Sequence, residues 1–237
     1  MRRLAAATVL ACALIGLGAP GSPAYPGCAP GADLHIRTAD GTRLVGHRFG
    51  HGKVAVVLAH QYDGDVCEWA PYARRLAGLG YTALAFDLRG FGLSQHRTGE
   101  ALFRYDQDVV AAAKLARAQG ATRVLLVGAS IGANAVVVAG AEAKPSVDGV
   151  VSLSAPATFR LDAVSAAKRS TVPVLYVAGT IDEGGIYRQD ARALYRATAS
   201  TDKAITLVPT AEHGVQLVGH PGKARTQVER FLRLHSR

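Results

Sequence analysis

The sequence predicts an α/β protein built on a mostly parallel sheet of about eight strands, with helices on both faces. Two observations carry this prediction. Short, continuous apolar runs alternate with amphipathic segments through most of the 237 residues, as strands and helices do in a parallel sheet that is covered on both faces. An antiparallel pair comes first, because two alternating segments within residues 34–49 flank the turn signal Asp40-Gly41.

The strands and helices follow in a regular order after that hairpin. Each apolar run leads into a glycine-containing turn or a helical pattern, and no internal repeat or linker interrupts the order after residue 30. Strands are predicted at 53–60, 81–87, 122–128, 147–156, 172–180 and 204–210, and helices at 68–80, 100–120, 131–143, 186–199 and 226–235.

Composition places the chain among ordinary globular proteins. Hydrophobic residues make up 49% and charged residues 19% of it, which excludes a disordered chain. The net charge is +9, but the Lys and Arg residues form no run of five, so a basic solvated surface is favoured over a nucleic-acid site. No cysteine has the spacing of a metal ligand pair, and no metal or cofactor is predicted.

The N-terminus is typical of a secretory signal. Arg2 and Arg3 precede an apolar stretch that ends near Gly18, and a small-x-small motif ends at Ala24. We therefore predict a signal peptide over residues 1–24, a catalytic domain over 25–237, and a secreted or extracytoplasmic protein with no stable membrane span. An uncleaved anchor, or lipidation at Cys12, remains as an alternative.

Cleavage after Ala24 leaves two cysteines, Cys28 and Cys67. An even pair in an exported protein suggests one disulfide that ties the N-terminal arm to the body. Two unpaired thiols are the alternative.

Three residues follow strands in the positions that nucleophilic catalysis requires. Ser130 stands in Gly-Ala-Ser-Ile-Gly, between a strand and a helix. A serine there needs a base to remove its proton, and His213 follows the last strand. Asp182 follows the strand before it and can orient the imidazole, while Glu183 is the alternative acid. In the structural interpretation, Asp182 instead caps the helix that begins at Ile186.

With these residues, the chain resembles an α/β-hydrolase from about Leu34 to its end. The resemblance also rests on the segments after the third and fourth strands, 59–69 and 86–94. It implies a Ser130-Asp182-His213 triad and an oxyanion hole made by the amides of Tyr62 and Ile131. Gln61 departs from the family pattern, which has glycine there, and its side chain could itself donate to substrate.

The resemblance also assigns structural roles and a substrate class. Asp87 and Arg89 are expected to fix a loop, Trp69 to pack a helix on the sheet, and Tyr187 to lie near the acid loop. Residues 154–173 leave room for one short helix and no large lid, as in small dienelactone-hydrolase-like members and esterases.

The function predicted on this resemblance is hydrolysis of esters or similar acyl compounds, without a cofactor. A peptidase or amidase on the same triad is the first alternative. A binding protein on the same scaffold is the second, and a cell-wall-associated protein using its positive charge is the third. The sequence leaves the natural substrate and the oligomeric state open.

Overall fold

Eight strands form the central sheet of this computed structural model, which describes residue 25, residues 27–29 and residues 31–237. The predicted signal peptide lies outside the described residues. The strands are β1 Leu34–Arg37, β2 Arg43–Phe49, β3 Val54–Ala59, β4 Thr82–Phe86, β5 Arg123–Ala129, β6 Gly149–Leu153, β9 Val174–Gly179 and β10 Lys203–Val208. Two further short strands, β7 Thr158–Phe159 and β8 Leu161–Asp162, form a separate hairpin.

The sheet order is β1-β2-β4-β3-β5-β6-β9-β10. Strand β2 runs antiparallel to both of its neighbours, and every other pair is parallel. The predicted mostly parallel sheet is thus confirmed, with the hairpin at one edge. The carboxyl ends of β3, β5, β6, β9 and β10 consequently meet along one border, which is where open α/β sheets hold their ligands.

Helices cover both faces of the sheet. On one face α2 Tyr105–Ala118, α3 Ile131–Glu142, α4 Ala163–Ala167 and α5 Ile186–Ala197 close one apolar core. On the other face α1 Val66–Gly78, α6 Gln216–Gly219 and α7 Lys223–His235 close a second core. Central strands such as β3 and β4 are buried along almost their whole length, which explains why they appear in the sequence as unbroken apolar runs.

The helix predicted from residue 100 to residue 120 is in fact two segments. A 3₁₀ helix spans Gly99–Phe103, and α2 begins only at Tyr105. Arg104, with ψ 48°, breaks the ladder between them. The buried Arg89 donates to the carbonyl of Ala101 at 2.7 Å, which ties the 3₁₀ segment to the loop after β4.

The segment between β6 and β9 carries no large lid, as predicted. It contains the β7–β8 hairpin and α4, a helix of five residues. The hairpin was not predicted, because two-residue strands leave no periodic signal.

Candidate active site

Ser130 sits at a sharp turn between β5 and α3. Its φ of 51° and ψ of −114° lie outside the regions that non-glycine residues prefer. Its amide donates to the Leu153 carbonyl of the neighbouring strand at 2.9 Å, which holds the strained turn against the sheet. This is the geometry that raises a nucleophilic hydroxyl above the ends of the strands.

The two glycines around Ser130 are required by close backbone approach. A Cβ on Gly128 would lie 2.2 Å from the carbonyl oxygen of Gly132. A Cβ on Gly132 would lie 2.4 Å from the carbonyl oxygen of Ala59 and 2.5 Å from that of His60. The absence of both side chains therefore lets the first turn of α3 pack directly against the end of β3.

Asp182 and His213 come together at the ends of β9 and β10. His213 Nδ1 lies 3.0 Å from Asp182 Oδ2 and 3.2 Å from Oδ1. Asp182 is fully buried, whereas Glu183, the alternative acid, is exposed. A proton on Nδ1 would be held by the carboxylate, which leaves Nε2 as the basic nitrogen.

Ser154 is a member of the site that the sequence did not reveal. It follows β6 with a φ of 50° and is completely buried. Its hydroxyl donates to Asp182 Oδ2 at 2.8 Å and accepts from the amide of Gly214 at 3.2 Å. Ser154 thereby connects the carboxylate to the residue that follows His213.

Tyr187 contacts both Ser130 and His213. Its ring lies 4.5 Å from the imidazole of His213, measured between centroids. Its hydroxyl lies against the Ser130 side chain, and burial raises the pKa of this phenol. Among the described residues, His213 Nε2 has no hydrogen-bond partner, which is common in unliganded sites, where catalytic contacts tighten only with substrate.

The amides of Tyr62 and Ile131 are available to a ligand. Tyr62 follows β3, and Ile131 opens α3 after the paired strand β5. Neither N–H donates to an acceptor within the described part of the chain. The two donors lie at adjacent strand ends, as an oxyanion site requires.

Hydrogen bonds of the two preceding residues, His60 and Gln61, hold the loop that carries Tyr62. His60 Nε2 accepts from the Leu88 amide, so Nδ1 carries the proton and donates to the Gln61 carbonyl at 2.7 Å. Burial lowers the pKa of His60 to about 4, so this ring is neutral at physiological pH. The Gln61 amide donates to Glu68 at 3.3 Å. Burial raises the pKa of Glu68 to about 7.

Gln61 does not need the backbone freedom of the glycine that the family pattern has there. Positive φ occurs at Asp63 instead. The side-chain oxygen of Gln61 accepts from the Val215 amide at 3.2 Å. Gln61 therefore bridges the Tyr62 loop and the loop that follows His213, and a direct contact with substrate remains a prediction.

The polar residues after β4 have structural contacts. Asp87 accepts from the hydroxyl of Tyr25 and from the amides of Val66 and Leu93. Arg89 is buried against Asp108 and Asp40. These contacts fix the loop, in line with the structural role expected of both residues.

The N-terminal arm is joined to α1. A disulfide links Cys28 to Cys67, with the two Cα atoms 5.2 Å apart. Trp69 is fully buried in the core between α1 and the sheet, which agrees with its expected packing role. Within the described residues, no cluster of potential metal ligands occurs, and no helix has the length and apolarity needed to cross a membrane.

Comparisons with known proteins agree with this architecture. A family model described as "Serine aminopeptidase, S33" matches residues 50–162, a range that includes Ser130 but ends before Asp182 and His213. No curated protein sequence matches the chain.

Several solved structures share the fold. An esterase of Pyrococcus furiosus superposes with a TM-score of 0.73 at 18% identity, covering 85% of this chain and 90% of that chain. Est1E of Butyrivibrio proteoclasticus, solved with ferulic acid, gives 0.67 at 15% identity, covering 85% and 97%. A monoacylglycerol lipase of Paleococcus ferrophilus gives 0.65 at 18% identity, covering 81% and 98%.

Proposed function

The chain has the fold of an α/β-hydrolase, and on that basis we propose that it is an exported serine hydrolase that cleaves carboxylic esters. One observation carries the proposal. Ser130 stands in a strained strand-to-helix turn, while the hydrogen-bonded pair of Asp182 and His213 comes from the ends of two later strands. Burial of Asp182 and a free Nε2 on His213 give the pair the chemistry of a base and its orienting acid.

In the proposed acylation step, His213 Nε2 takes the proton from the Ser130 hydroxyl as its oxygen attacks the ester carbonyl. Negative charge develops on the carbonyl oxygen, and the amides of Tyr62 and Ile131 donate to it. Each such donor contributes on the order of 3 kcal/mol to transition-state stability. The imidazolium, held by Asp182, then protonates the departing alkoxide, and the acyl group remains on Ser130.

Deacylation repeats the sequence with water as the nucleophile. His213 takes a proton from water, the hydroxide attacks the acyl-serine carbonyl, and the same two amides hold the oxyanion. Collapse of this intermediate releases the carboxylic acid and returns the proton to Ser130. No cofactor is needed in either step.

Export is the part of the proposal that concerns location. Its support is the signal-like pattern of residues 1–24 together with the pairing of Cys28 and Cys67. Disulfides persist in extracytoplasmic compartments and are rare in the reducing cytosol.

A peptidase is the second candidate, because the matching family model carries the name of a serine aminopeptidase. Both reactions use the same nucleophile and base, so they differ in the leaving group that the site accepts. Solved structures with this fold include esterases and a monoacylglycerol lipase, which supports ester hydrolysis.

Hydrolysis of p-nitrophenyl acetate, compared with hydrolysis of alanine p-nitroanilide, tests the proposal. We expect the mature protein to cleave the ester with a kcat/KM at least tenfold above that for the anilide. We expect Ser130→Ala to abolish ester turnover while its circular dichroism spectrum stays unchanged. Full activity of this variant would overturn the assignment, and faster cleavage of the anilide would favour the peptidase.

A further inference from the structure

A continuous row of side chains, five aromatic rings and one guanidinium, runs from the loop that carries Tyr62 to the β7–β8 hairpin. Each ring or guanidinium in it contacts the next. Tyr62 lies 5.5 Å from Phe91, Phe91 lies 6.3 Å from Tyr105, and Tyr105 lies 6.5 Å from Phe103, measured between ring centroids. The Arg160 guanidinium completes the row at 4.2 Å from the Phe103 ring and 5.6 Å from the Phe159 ring. We call these six residues the aromatic wall.

Both ends of the aromatic wall are attached to the elements around Ser130. At one end, Tyr62 contributes an oxyanion amide, and Phe91 contacts the His60 ring at 5.2 Å. At the other end, Asn134, whose amide donates to the Ser130 carbonyl, also donates through its side chain to Leu161, directly after Arg160. The wall is thus connected at both ends to elements that adjoin Ser130.

Two rings of the wall are open to solvent. Tyr62 is 59% exposed and Phe159 is 42% exposed, whereas Tyr105 is buried and anchors the row. An exposed aromatic surface at a candidate active site is an apolar contact available to a ligand.

Arg160 presents its charge to the same surface. It occupies the tip of the hairpin, between the paired residues Phe159 and Leu161, with a φ of 61°. This conformation is costly for arginine and easy for glycine. Among the described residues the Arg160 guanidinium forms no hydrogen bond and no ion pair, so its contacts with the Phe103 and Phe159 rings hold it. Arg160 is exposed, and stacking on a further ring is an arrangement that guanidinium groups favour.

The strand order places the larger part of this surface on the acyl side of the substrate. Tyr62 follows β3, and Phe91, Phe103 and Tyr105 follow β4, so these four residues come from one side of β5. Phe159 and Arg160 follow β6, on the other side of β5, and join this surface through the contact of Arg160 with Phe103. Asp182 and His213 follow β9 and β10, which lie farther out on that other side. Because His213 protonates the leaving alcohol, the alcohol departs on the His213 side and the acyl group extends toward the wall.

We propose that the aromatic wall is an acyl-binding surface, that its preferred substrates are esters of aromatic carboxylic acids, and that Arg160 determines this preference by stacking on the acyl ring. The inference rests on the proposed ester hydrolysis. An aromatic ring bound between the Tyr62 loop and the hairpin would stack on the Arg160 guanidinium. Phe103 lies behind this guanidinium and supports it. A saturated ring of the same size gains no cation–π attraction there.

The test compares p-nitrophenyl benzoate with p-nitrophenyl cyclohexanecarboxylate, which share a leaving group and differ in the aromaticity of a six-membered acyl ring. The measured quantity is the ratio of the two kcat/KM values. In Arg160→Gly this ratio is expected to fall about threefold to tenfold, the range that a cation–π contact supplies. Glycine adopts the φ of this position without strain, so the variant keeps the hairpin. Phe103→Leu, which removes the ring behind Arg160, is expected to lower the ratio in the same direction.

Arg230→Ala is the matched control, because it removes one exposed positive charge from α7, a helix on the other face of the sheet. We expect it to leave the ratio unchanged. An unchanged ratio in both Arg160→Gly and Phe103→Leu would overturn the inference while ester hydrolysis by the wild type would still stand. If the wild-type protein hydrolyses neither ester nor p-nitrophenyl acetate, the proposed function fails and the inference fails with it.

Discussion

At the scale of single residues, Ser154 explains how the base and its acid are held in one geometry. The Ser154 hydroxyl joins Asp182 to the amide of Gly214, so the carboxylate and the backbone next to His213 share one buried partner. A hydrogen bond to a charged group is stronger than one between neutral groups. Ser154 thus acts as a positioning residue for the pair.

Ser154→Ala is predicted to lower kcat for p-nitrophenyl acetate about tenfold, with little change in KM. The reason is that the buried carboxylate of Asp182 loses one hydrogen-bond donor and the Gly214 amide loses its acceptor. Leaving a buried polar group without its partner costs about 1–3 kcal/mol of free energy. Steady-state kinetics with the purified variant measures the effect.

Ser152→Ala supplies the control, because it removes a buried hydroxyl of β6, two residues before Ser154, whose oxygen has no partner in the described residues. We expect this variant to retain kcat. An equal decrease of kcat in the two variants would show that the loss of any buried serine hydroxyl near the end of β6 lowers activity. That result would contradict a specific role for Ser154.

The sequence was sufficient to predict that Ser130, Asp182 and His213 follow the ends of β5, β9 and β10, because apolar strands are recognisable from local pattern. Their catalytic roles remain a prediction. The sequence was insufficient for Ser154 and for the contact of Gln61 with Val215. These contacts join residues 28, 60 and 154 positions apart. No local pattern in the chain specifies which loops meet at that distance.

At the scale of elements, the junction of β5 and α3 depends on backbone contact. Gly128 and Gly132 let the first turn of α3 touch both its own strand and the end of β3. This packing places the Ile131 amide beside the Tyr62 loop. The sequence predicted the strand, the turn and the helix, since the glycine spacing around Ser130 is a local signal.

Gly132→Ala is predicted to lower the free energy of unfolding by about 1–3 kcal/mol and to reduce ester turnover. The new methyl group would meet the carbonyl oxygens of Ala59 and His60, neither of which can move without shifting β3. Denaturant unfolding and p-nitrophenyl acetate kinetics measure the two effects.

Gly78→Ala is the matched change, because its Cβ would meet no atom within 4 Å at the end of α1. It is expected to be neutral or slightly stabilising. A Gly132→Ala protein as stable and as active as Gly78→Ala would refute the packing argument.

Element boundaries were predicted less well where tertiary contacts override local preference. The break at Arg104 lies in a segment that is held by Arg89, a residue of a different loop, through the carbonyl of Ala101. The β7–β8 hairpin, which carries Arg160, was missed for the same kind of reason. Its conformation depends on contacts with Phe103 and α3 rather than on its own two-residue strands.

At the scale of the whole molecule, the N-terminal arm is attached to the loops behind the candidate site. The disulfide joins Cys28 to the second residue of α1, and the hydroxyl of Tyr25 donates to Asp87 at 2.9 Å. Asp87 also accepts from Val66 at the start of α1. The arm therefore stabilises the loop region from which α1 begins.

Replacing both cysteines by alanine is predicted to lower the free energy of unfolding by about 4 kcal/mol. The bond closes a loop with a sequence separation of 39 residues, and most of the loss comes from greater freedom of the unfolded chain. Denaturant unfolding of the variant and of reduced wild-type protein should give one shared midpoint, at a lower denaturant concentration than that of oxidised wild-type protein. An unchanged midpoint in both samples would contradict a stabilising role for the bond.

The central claim is that Ser130 is a nucleophile activated by His213, and covalent labelling with a fluorophosphonate tests it most directly. Intact mass and peptide mapping of the mature wild-type protein are predicted to show one adduct, on Ser130. Ser130→Ala should remain unlabelled, and His213→Ala should label at least a hundredfold more slowly, because a serine without its base is a weak nucleophile. A wild-type protein that stays unlabelled, or is labelled at another residue, would contradict the account and favour a binding protein on the same scaffold.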